Sequence, residues 1–182
     1  RRTGPPREEG APTPVVSPAP EPEEDLHDEG SVPEPEEGGL FYPWQERAVE
    51  ALEGKSAILS APTGSGKTWV AYRWAGLMDR EGKAQMPHGR VIFTAPIKAL
   101  SNERYLDLKR MGFDVGLETG DFKKNAGAEV LCCTQEIYTL KYCRVPNQRV
   151  VVDEFHFICG DPERTRAYID GIRATDPSTE LL

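Results

Sequence analysis

The chain has 182 residues and a formal net charge of −8, and its length favours one domain with a proper core over two full domains. No apolar run approaches the roughly 20 residues that a membrane helix needs, and the acidic, proline-rich start has no hydrophobic signal core. We therefore predict a cytoplasmic protein without a membrane partner.

The acidic charge is concentrated in the first 39 residues. They hold nine of the sixteen prolines and eleven of the thirty acidic residues against three arginines, a net charge of −8. With so few large apolar side chains, this segment cannot offset the entropy of ordering. We predict a disordered acidic, proline-rich arm over residues 1–39. Its composition favours a flexible tether, and a partner-binding arm is the alternative. Residues 40–182 balance at nineteen acids and nineteen bases, so the acidic total does not argue against nucleic-acid binding.

From Leu40 onward, short apolar runs alternate with longer amphipathic stretches, a pattern typical of β-α-β units. Strands are predicted over residues 56–60, 91–95, 115–119, 130–133 and 149–152. Helices are predicted over residues 43–53, 66–80, 100–111, 135–142 and 162–174. Several strands are continuous apolar runs, which indicates a sheet covered on both faces. The prediction is a parallel, doubly wound α/β domain over residues 40–182, with its ligands at the carboxyl ends of the strands.

Residues 61–68 lie between the first predicted strand and the helix that follows it. They match the phosphate-loop pattern G-x-x-x-x-G-K-[ST] except that Ala61 replaces the first glycine. The glycines permit the tight turn that points backbone N–H groups at phosphate oxygens, and an ordinary glycine-serine turn is the alternative. Lys67 is predicted to reach the β- and γ-phosphates, and the Thr68 hydroxyl to ligate Mg²⁺. The predicted nucleotide-binding residues of this loop are Ala61, Pro62, Thr63, Gly64, Ser65, Gly66, Lys67 and Thr68.

Two adjacent carboxylates follow the last predicted strand, because residues 150–152 are three valines and Asp153 and Glu154 come directly after them. An aspartate at a strand end can hold Mg²⁺, and a neighbouring glutamate can orient or deprotonate the attacking water. Taken alone, such a pair is more often a solvated strand end. Together with the upstream phosphate loop it predicts a Mg-ATP hydrolysis site in which Asp153, Glu154 and Lys67 are catalytic.

The four cysteines, Cys132, Cys133, Cys143 and Cys159, form no C-x-x-C pair. No histidines stand near them at the spacing of zinc ligands. They are predicted to be reduced structural thiols.

Seven segments in order resemble the DExH-box helicases of superfamily two, specifically the Ski-like branch. The resemblance covers residues 42–182. Its motifs are Pro43-Trp44-Gln45, residues 61–68, residues 94–102, Thr119-Gly120-Asp121, Thr134-Gln135-Glu136-Ile137, residues 153–156 and Asp161-Pro162-Glu163-Arg164. In that family the phosphate loop commonly begins with alanine, whereas Phe155 stands where valine is frequent.

The resemblance implies roles that spacing alone does not give. Gln45 is similar to the glutamine that recognises adenine, which makes ATP the expected nucleotide, and His156 is similar to the histidine that couples the nucleotide site to strand movement. Without the resemblance, Gln45 would be interpreted as a polar residue at the start of a helix, and His156 as a hydrogen-bonded histidine with a packing role. The residues expected along a single-stranded nucleic acid are Thr94, Pro96, Lys98, Ser101, Asn102, Thr119, Gly120, Asp121, Thr134 and Glu136.

The resemblance also implies a RecA-like ATP-binding domain, the first of two motor domains, in a helicase that acts on RNA in preference to DNA. Its next strand is expected to begin near residue 180, which predicts that the chain stops before the last strands and that a second RecA-like domain of the same protein is missing. The alternative is a nucleotide-binding regulatory or scaffold module without helicase activity.

Overall fold

The computed structural model describes residues 41–182, and a six-stranded sheet forms its centre. The predicted arm over residues 1–39 lies outside these residues. The strands lie in the order β3-β2-β4-β1-β5-β6, and every neighbouring pair is parallel except β2 and β3. Their bounds are Arg90–Ala95 (β1), Val115–Glu118 (β2), Lys123–Lys124 (β3), Val130–Thr134 (β4), Gln148–Val152 (β5) and Glu180–Leu181 (β6). The α/β prediction is confirmed, although the two-residue strand β3 was not predicted and makes the sheet mixed.

Helices flank this sheet and carry the connections between its parallel strands. Two of them begin where the sequence signals a start, because Pro43 and Pro162 occupy first-turn positions at which the missing N–H costs nothing. The Asp161 side chain accepts the Glu163 N–H at 2.7 Å, which caps the last helix. The helices are Pro43–Leu52 (α1), Lys67–Trp74 (α2), Lys98–Arg110 (α3), Gln135–Ile137 (α4) and Pro162–Ala174 (α5), with a π-helical turn over Tyr138–Tyr142 and a 3₁₀ helix over Phe155–Cys159.

Helix α2 ends at Trp74, six residues before the predicted end at residue 80. Gly76 adopts a left-handed backbone with φ of 76°, and its N–H bonds the Arg73 carbonyl at 3.0 Å. The Leu77 N–H bonds the Tyr72 carbonyl at 2.9 Å, which completes the paired hydrogen bonds that close a helix end. The apolar residues Leu77 and Met78 after Gly76 are buried in the core. In the sequence they continue the apolar pattern of α2, which is why the helix was predicted to be longer than it is.

The predicted strand over residues 56–60 is wrong, because this segment forms no strand in the structure. It runs beside β6 and shares with it a bond from the Ala57 N–H to the Leu181 carbonyl at 2.9 Å. A second contact joins the Leu181 N–H to the Ser56 hydroxyl at 3.0 Å. This single bond between backbone groups does not make the repeated pairing of a strand ladder.

The core lies on both faces of the sheet, and alternate residues of the central strands supply the two sides. Val91 and Phe93 pack on one face, whereas Ile92 packs on the other together with Leu131 and Val150. This explains the continuous apolar runs in the sequence. Among the described residues, no helix is long and apolar enough to cross a membrane.

Three of the four cysteines fit the predicted structural role, and the exposed Cys159 does not. Cys132, Cys133 and Cys143 are buried, Cys159 is exposed, and all four are free thiols. Burial raises the pKa of the Cys132 thiol to about 12, so it stays protonated at neutral pH.

Glu118, at the end of β2, is a buried carboxylate with 1% of its side chain exposed. It accepts hydrogen bonds from Lys141 and from the Tyr142 hydroxyl, and Lys123 lies 4.0 Å away. Burial by itself raises the pKa of Glu118, but these bonds and positive charges outweigh it and lower the pKa below the ordinary value. The carboxylate therefore ties the sheet edge to the π-helical turn.

Replacing Glu118 by Gln is expected to lower the free energy of unfolding by roughly 2 kcal/mol, because two charge-assisted bonds are lost. A carboxyl whose pKa is lowered in the folded state stabilises the fold fully above its ordinary pKa, and this stability is lost as the pH falls through the lowered value. The difference between wild type and variant should therefore be largest near neutral pH and shrink below about pH 4. Urea unfolding across this range measures it. The exposed Glu129→Gln serves as control and should change stability by less than about 0.5 kcal/mol, and an equal loss in both variants would contradict the prediction.

Candidate functional site

The carboxyl ends of four parallel strands bring the predicted motifs to one edge of the sheet. Pro96 follows β1, Thr119 follows β2, and Asp153 follows β5, while Thr134 ends β4. Backbone bonds join them, since the Asp153 N–H donates to the Thr94 carbonyl at 3.0 Å. The buried Thr94 hydroxyl donates to Gln135 Oε1 at 2.7 Å. Residues predicted for nucleotide chemistry and for nucleic-acid contact are thus in direct contact.

The predicted phosphate loop leads into the amino end of α2. Gly64 and Gly66 have φ angles of 80° and 88°, in the left-handed region that favours glycine. Gly66 is the N-cap of α2, and no side chain caps the first turn, so its N–H groups are available to an anion. Lys67 Nζ donates to the carbonyls of Ala61 at 2.5 Å and Pro62 at 2.9 Å. The loop is therefore a turn with a lysine folded across it and free donors at a helix end.

Gln45 is buried against this loop. Its Oε1 accepts the Tyr42 N–H at 2.8 Å, and its Nε2 lies 3.2 Å from the Gly66 carbonyl and 3.5 Å from that of Ser65. The φ angle of residue 66 favours glycine, and a Cβ there would come within 2.3 Å of Gln45 Nε2 and displace that side chain from the loop. Gln45 thus holds the loop to the start of α1.

Asp153 and Glu154 have different settings although they are adjacent. Asp153 Oδ1 accepts the Glu154 N–H at 3.0 Å, whereas Glu154 is exposed and lies beside His156, with 3.3 Å between its Oε2 and the imidazole Nδ1. Glu154 has a φ of 53°, which is uncommon for a residue with a side chain and is found at functional sites. Phe155, the departure from the family pattern, packs edge-on against the buried Tyr168 at 5.9 Å. One carboxylate is anchored and the other faces solvent.

These groups fit Mg²⁺ and a nucleotide triphosphate. A carboxylate of Asp153 and the exposed hydroxyl of Thr68 are hard oxygen donors of the kind Mg²⁺ takes, with phosphate and water oxygens as the remaining ligands. The free N–H groups of α2 and the ammonium of Lys67 suit phosphate oxygens. Among the described residues, no cluster of three or more histidine, cysteine or acidic side chains could hold a metal.

Arg104 of α3 links Asp153 to α2, and the sequence interpretation missed it. Its Nη2 donates to Asp153 Oδ2 at 2.7 Å, and its Nη1 donates to the Tyr72 hydroxyl at 2.9 Å. The signal was an arginine on the inward face of α3, between the buried Ser101 and Leu108 at helical spacing. A charged residue on a core-facing stripe needs a partner, and Asp153 is that partner.

The residues predicted to contact nucleic acid divide into an exposed and a buried group. Lys98 and Asp121 are exposed and form an ion pair that joins the start of α3 to the loop after β2. In the same loop the Thr119 N–H donates to the Phe122 carbonyl at 2.8 Å. The exposed group also includes Asn102, Gly120 and Glu136, and the buried group consists of Thr94, Pro96, Ser101, Thr119 and Thr134. The first group is accessible to solvent at this edge, whereas the second is packed inside it.

Comparison with known proteins adds independent information. The model of the DEAD/DEAH box helicase family matches residues 42–181. The chain is 38% identical over 127 residues to the DExH-box ATP-dependent RNA helicase DExH9 of Arabidopsis thaliana and to the human exosome RNA helicase MTR4, covering 66% of this chain and 12% of each relative. It is also 38% identical over 123 residues to the probable helicase HelY of Mycobacterium leprae, covering 63% of this chain and 13% of that protein.

A solved structure with a similar fold is the DUF1998 helicase MrfA bound to DNA and AMPPNP, with a TM-score of 0.55 and 18% identity. The match covers 77% of this chain and 23% of that one. At this identity the likeness concerns the fold. The chain spans about an eighth of the length of the curated relatives it matches.

Proposed function

Because this chain belongs to the DEAD/DEAH box helicase family, we propose that it is the first ATP-binding motor domain of an ATP-dependent nucleic-acid helicase of the DExH type. The observation that carries the proposal is the bond from the Asp153 N–H to the Thr94 carbonyl. It joins a Mg-ATP carboxylate to the segment expected to contact a nucleic-acid strand. A nucleotide site directly connected to a strand-binding edge is what a motor requires.

In the proposed reaction, the amino end of α2 and Lys67 bind the β- and γ-phosphates. Thr68 and Asp153 hold Mg²⁺, which neutralises charge on the phosphates when bound. Glu154 orients the attacking water and takes its proton, since its carboxylate is exposed and lies beside His156. His156, which contacts Glu154, couples the nucleotide site to movement of the nucleic-acid strand. Gln45, which already braces the loop, adds the adenine contact that selects ATP.

The nucleic acid is proposed to lie along the exposed group of edge residues, contacting Lys98 and Asn102 on α3. The remaining exposed members are Gly120, Asp121 and Glu136. Phosphate and sugar contacts of this kind position a strand without reading its sequence. RNA is favoured over DNA, because relatives of the chain carry the name RNA helicase, although the structural neighbour is titled as bound to DNA. A cytoplasmic location stays a prediction from composition.

A second RecA-like domain of the same protein is proposed to complete the motor. Family members hydrolyse ATP between two such domains, and an arginine finger from a partner domain is worth about 10³–10⁵ in rate. Translocation also needs one domain to open and close against another. The chain alone should therefore bind ATP but hydrolyse it slowly.

The test is ATP hydrolysis by the full-length natural protein that contains this chain, with and without single-stranded RNA or DNA of matched sequence. Hydrolysis should require Mg²⁺ and rise to a plateau as single strand is added. Comparing the two strands then decides between RNA and DNA. If the protein binds ATP but no single strand changes its hydrolysis rate, the helicase proposal is contradicted and a nucleotide-binding regulatory module is favoured.

A further inference from the structure

Arg104 is a largely buried charged neighbour of the candidate metal site, with 19% of its side chain exposed. Arginine loses much hydration in such a place, and the cost is offset to the extent that its donors are paired. Its two Nη groups are paired with Asp153 Oδ2 at 2.7 Å and with the Tyr72 hydroxyl at 2.9 Å, whereas its buried Nε has no hydrogen-bond partner among the described residues. Burial by itself lowers the pKa of the guanidinium, but Tyr72 and Asp153 together raise it, so the charge is permanent.

Tyr72, the second partner of Arg104, is held in place by packing. Tyr72 is buried on α2 and packs edge-on against Phe93 of β1, with 5.6 Å between the ring centroids. The Arg104 guanidinium also lies 5.7 Å from the Tyr72 ring centre, a cation-π distance. Tyr72 lies on α2, which begins at the phosphate loop, and Arg104 lies on α3, which begins at Lys98. The contact between them therefore holds the Arg104 guanidinium between two helices while its other Nη group bonds Asp153.

Both oxygens of Asp153 are thereby oriented. Oδ1 accepts the Glu154 N–H at 3.0 Å, and Oδ2 accepts Arg104. A carboxylate has about four acceptor positions, so each oxygen keeps one free for a metal. Asp153 remains 37% exposed, which leaves the carboxylate accessible from solvent. The arrangement holds the carboxylate in one orientation without blocking it.

We propose that Arg104 is a positioning residue that holds the Asp153 carboxylate in the orientation that ligates the Mg²⁺ of Mg-ATP. This inference rests on the proposed function of the site. Partners that orient a metal ligand typically contribute about 10–100-fold to metal affinity. Arg104 belongs to this class because one of its Nη groups bonds the proposed ligand Asp153 and the other bonds Tyr72.

The experiment measures binding of a fluorescent ATP analogue to the 182-residue chain during a Mg²⁺ titration and separately in EDTA. Arg104→Met keeps the length of the side chain and removes its charge and both bonds. It should raise the half-saturating Mg²⁺ concentration about 10–100-fold and leave the affinity in EDTA unchanged. Arg104→Lys restores a charge but cannot bond Tyr72 and Asp153 together, so it should recover part of the loss.

Arg110→Met is the matched control, because Arg110 lies on the same helix, pairs with Asp107 and is exposed. It should leave the Mg²⁺ dependence unchanged. A purely structural role for Arg104 would weaken binding equally in EDTA and in Mg²⁺, and either that result or an unchanged Mg²⁺ dependence would overturn the inference. If the wild-type chain shows no Mg²⁺-dependent binding of the analogue, the proposed function itself fails.

Discussion

Glu154→Gln should lower the rate of ATP hydrolysis about 10²–10⁴-fold, because a positioned general base contributes that much to a hydrolytic step. Glutamine keeps the size of the side chain and its hydrogen-bonding oxygen but cannot accept the proton of the attacking water. ATP binding should be retained, since Glu154 is exposed and its contacts are its own backbone N–H to Asp153 and the imidazole of His156. The variant therefore separates turnover from binding.

The measurement is the single-turnover hydrolysis rate of the full-length protein at saturating single strand, together with the affinity for a fluorescent ATP analogue. Glu50→Gln provides a matched control, because Glu50 is an exposed glutamate on α1 away from the carboxyl edge of the sheet. It should hydrolyse ATP at the wild-type rate. Normal hydrolysis by Glu154→Gln would remove Glu154 from the catalytic role and leave the position of the water to another group.

The backbone of Glu154 sharpens this expectation. Its φ of 53° costs free energy for a residue with a side chain, and such conformations persist where the surrounding structure imposes them. Here the neighbouring Asp153 is fixed by Arg104 and by the Thr94 carbonyl, so the chain turns abruptly at residue 154. With this turn, Asp153 keeps its bonds to Arg104 and to the Glu154 N–H while Glu154 stays exposed beside His156.

The strands of this fold were predictable because their signal is local. Central strands such as β1 and β4 are buried on both faces, so every residue in them after Arg90 at the start of β1 is apolar or small and the run is continuous. The order of the motifs along the chain then placed them at the carboxyl ends of parallel strands. The structure has this arrangement for Pro96, Thr119, Thr134 and Asp153, whereas residues 61–68 follow a segment that forms no strand.

The errors came from contacts between distant segments. The strand predicted over residues 56–60 was wrong because this segment shares a single backbone hydrogen bond with β6, from the Ala57 N–H to the Leu181 carbonyl, and local pattern does not show how a distant segment pairs. The predicted length of α2 failed because the buried residues after Gly76 pack in the core without helical backbone. Arg104 was missed because its ion-pair partner, Asp153, is 49 positions away in the sequence. In each case the deciding partner lies outside the window in which a pattern is visible.

Lys67→Ala should weaken ATP binding about 10–100-fold, because a charge-assisted hydrogen bond to phosphate is worth roughly 1.5–3 kcal/mol and each 1.4 kcal/mol is tenfold. In the structure the ammonium bonds the Ala61 and Pro62 carbonyls, so a bound phosphate competes with two backbone acceptors for it. Removal of the lysine leaves those carbonyls to solvent. The loss should appear in the equilibrium affinity of the 182-residue chain for ATP, measured by calorimetry or with a fluorescent analogue.

Lys55→Ala is the fitting control, because Lys55 also bonds a backbone carbonyl, that of Ala51 at 3.2 Å, but lies before the loop segment. It should bind ATP as the wild type does. Lys67→Arg keeps the charge, yet its planar fork cannot occupy the narrow position between two carbonyls, so its affinity should stay below that of wild type. Unimpaired ATP binding by Lys67→Ala would show that residues 61–68 are a plain turn, and the metal-site interpretation of Asp153 would lose its nucleotide.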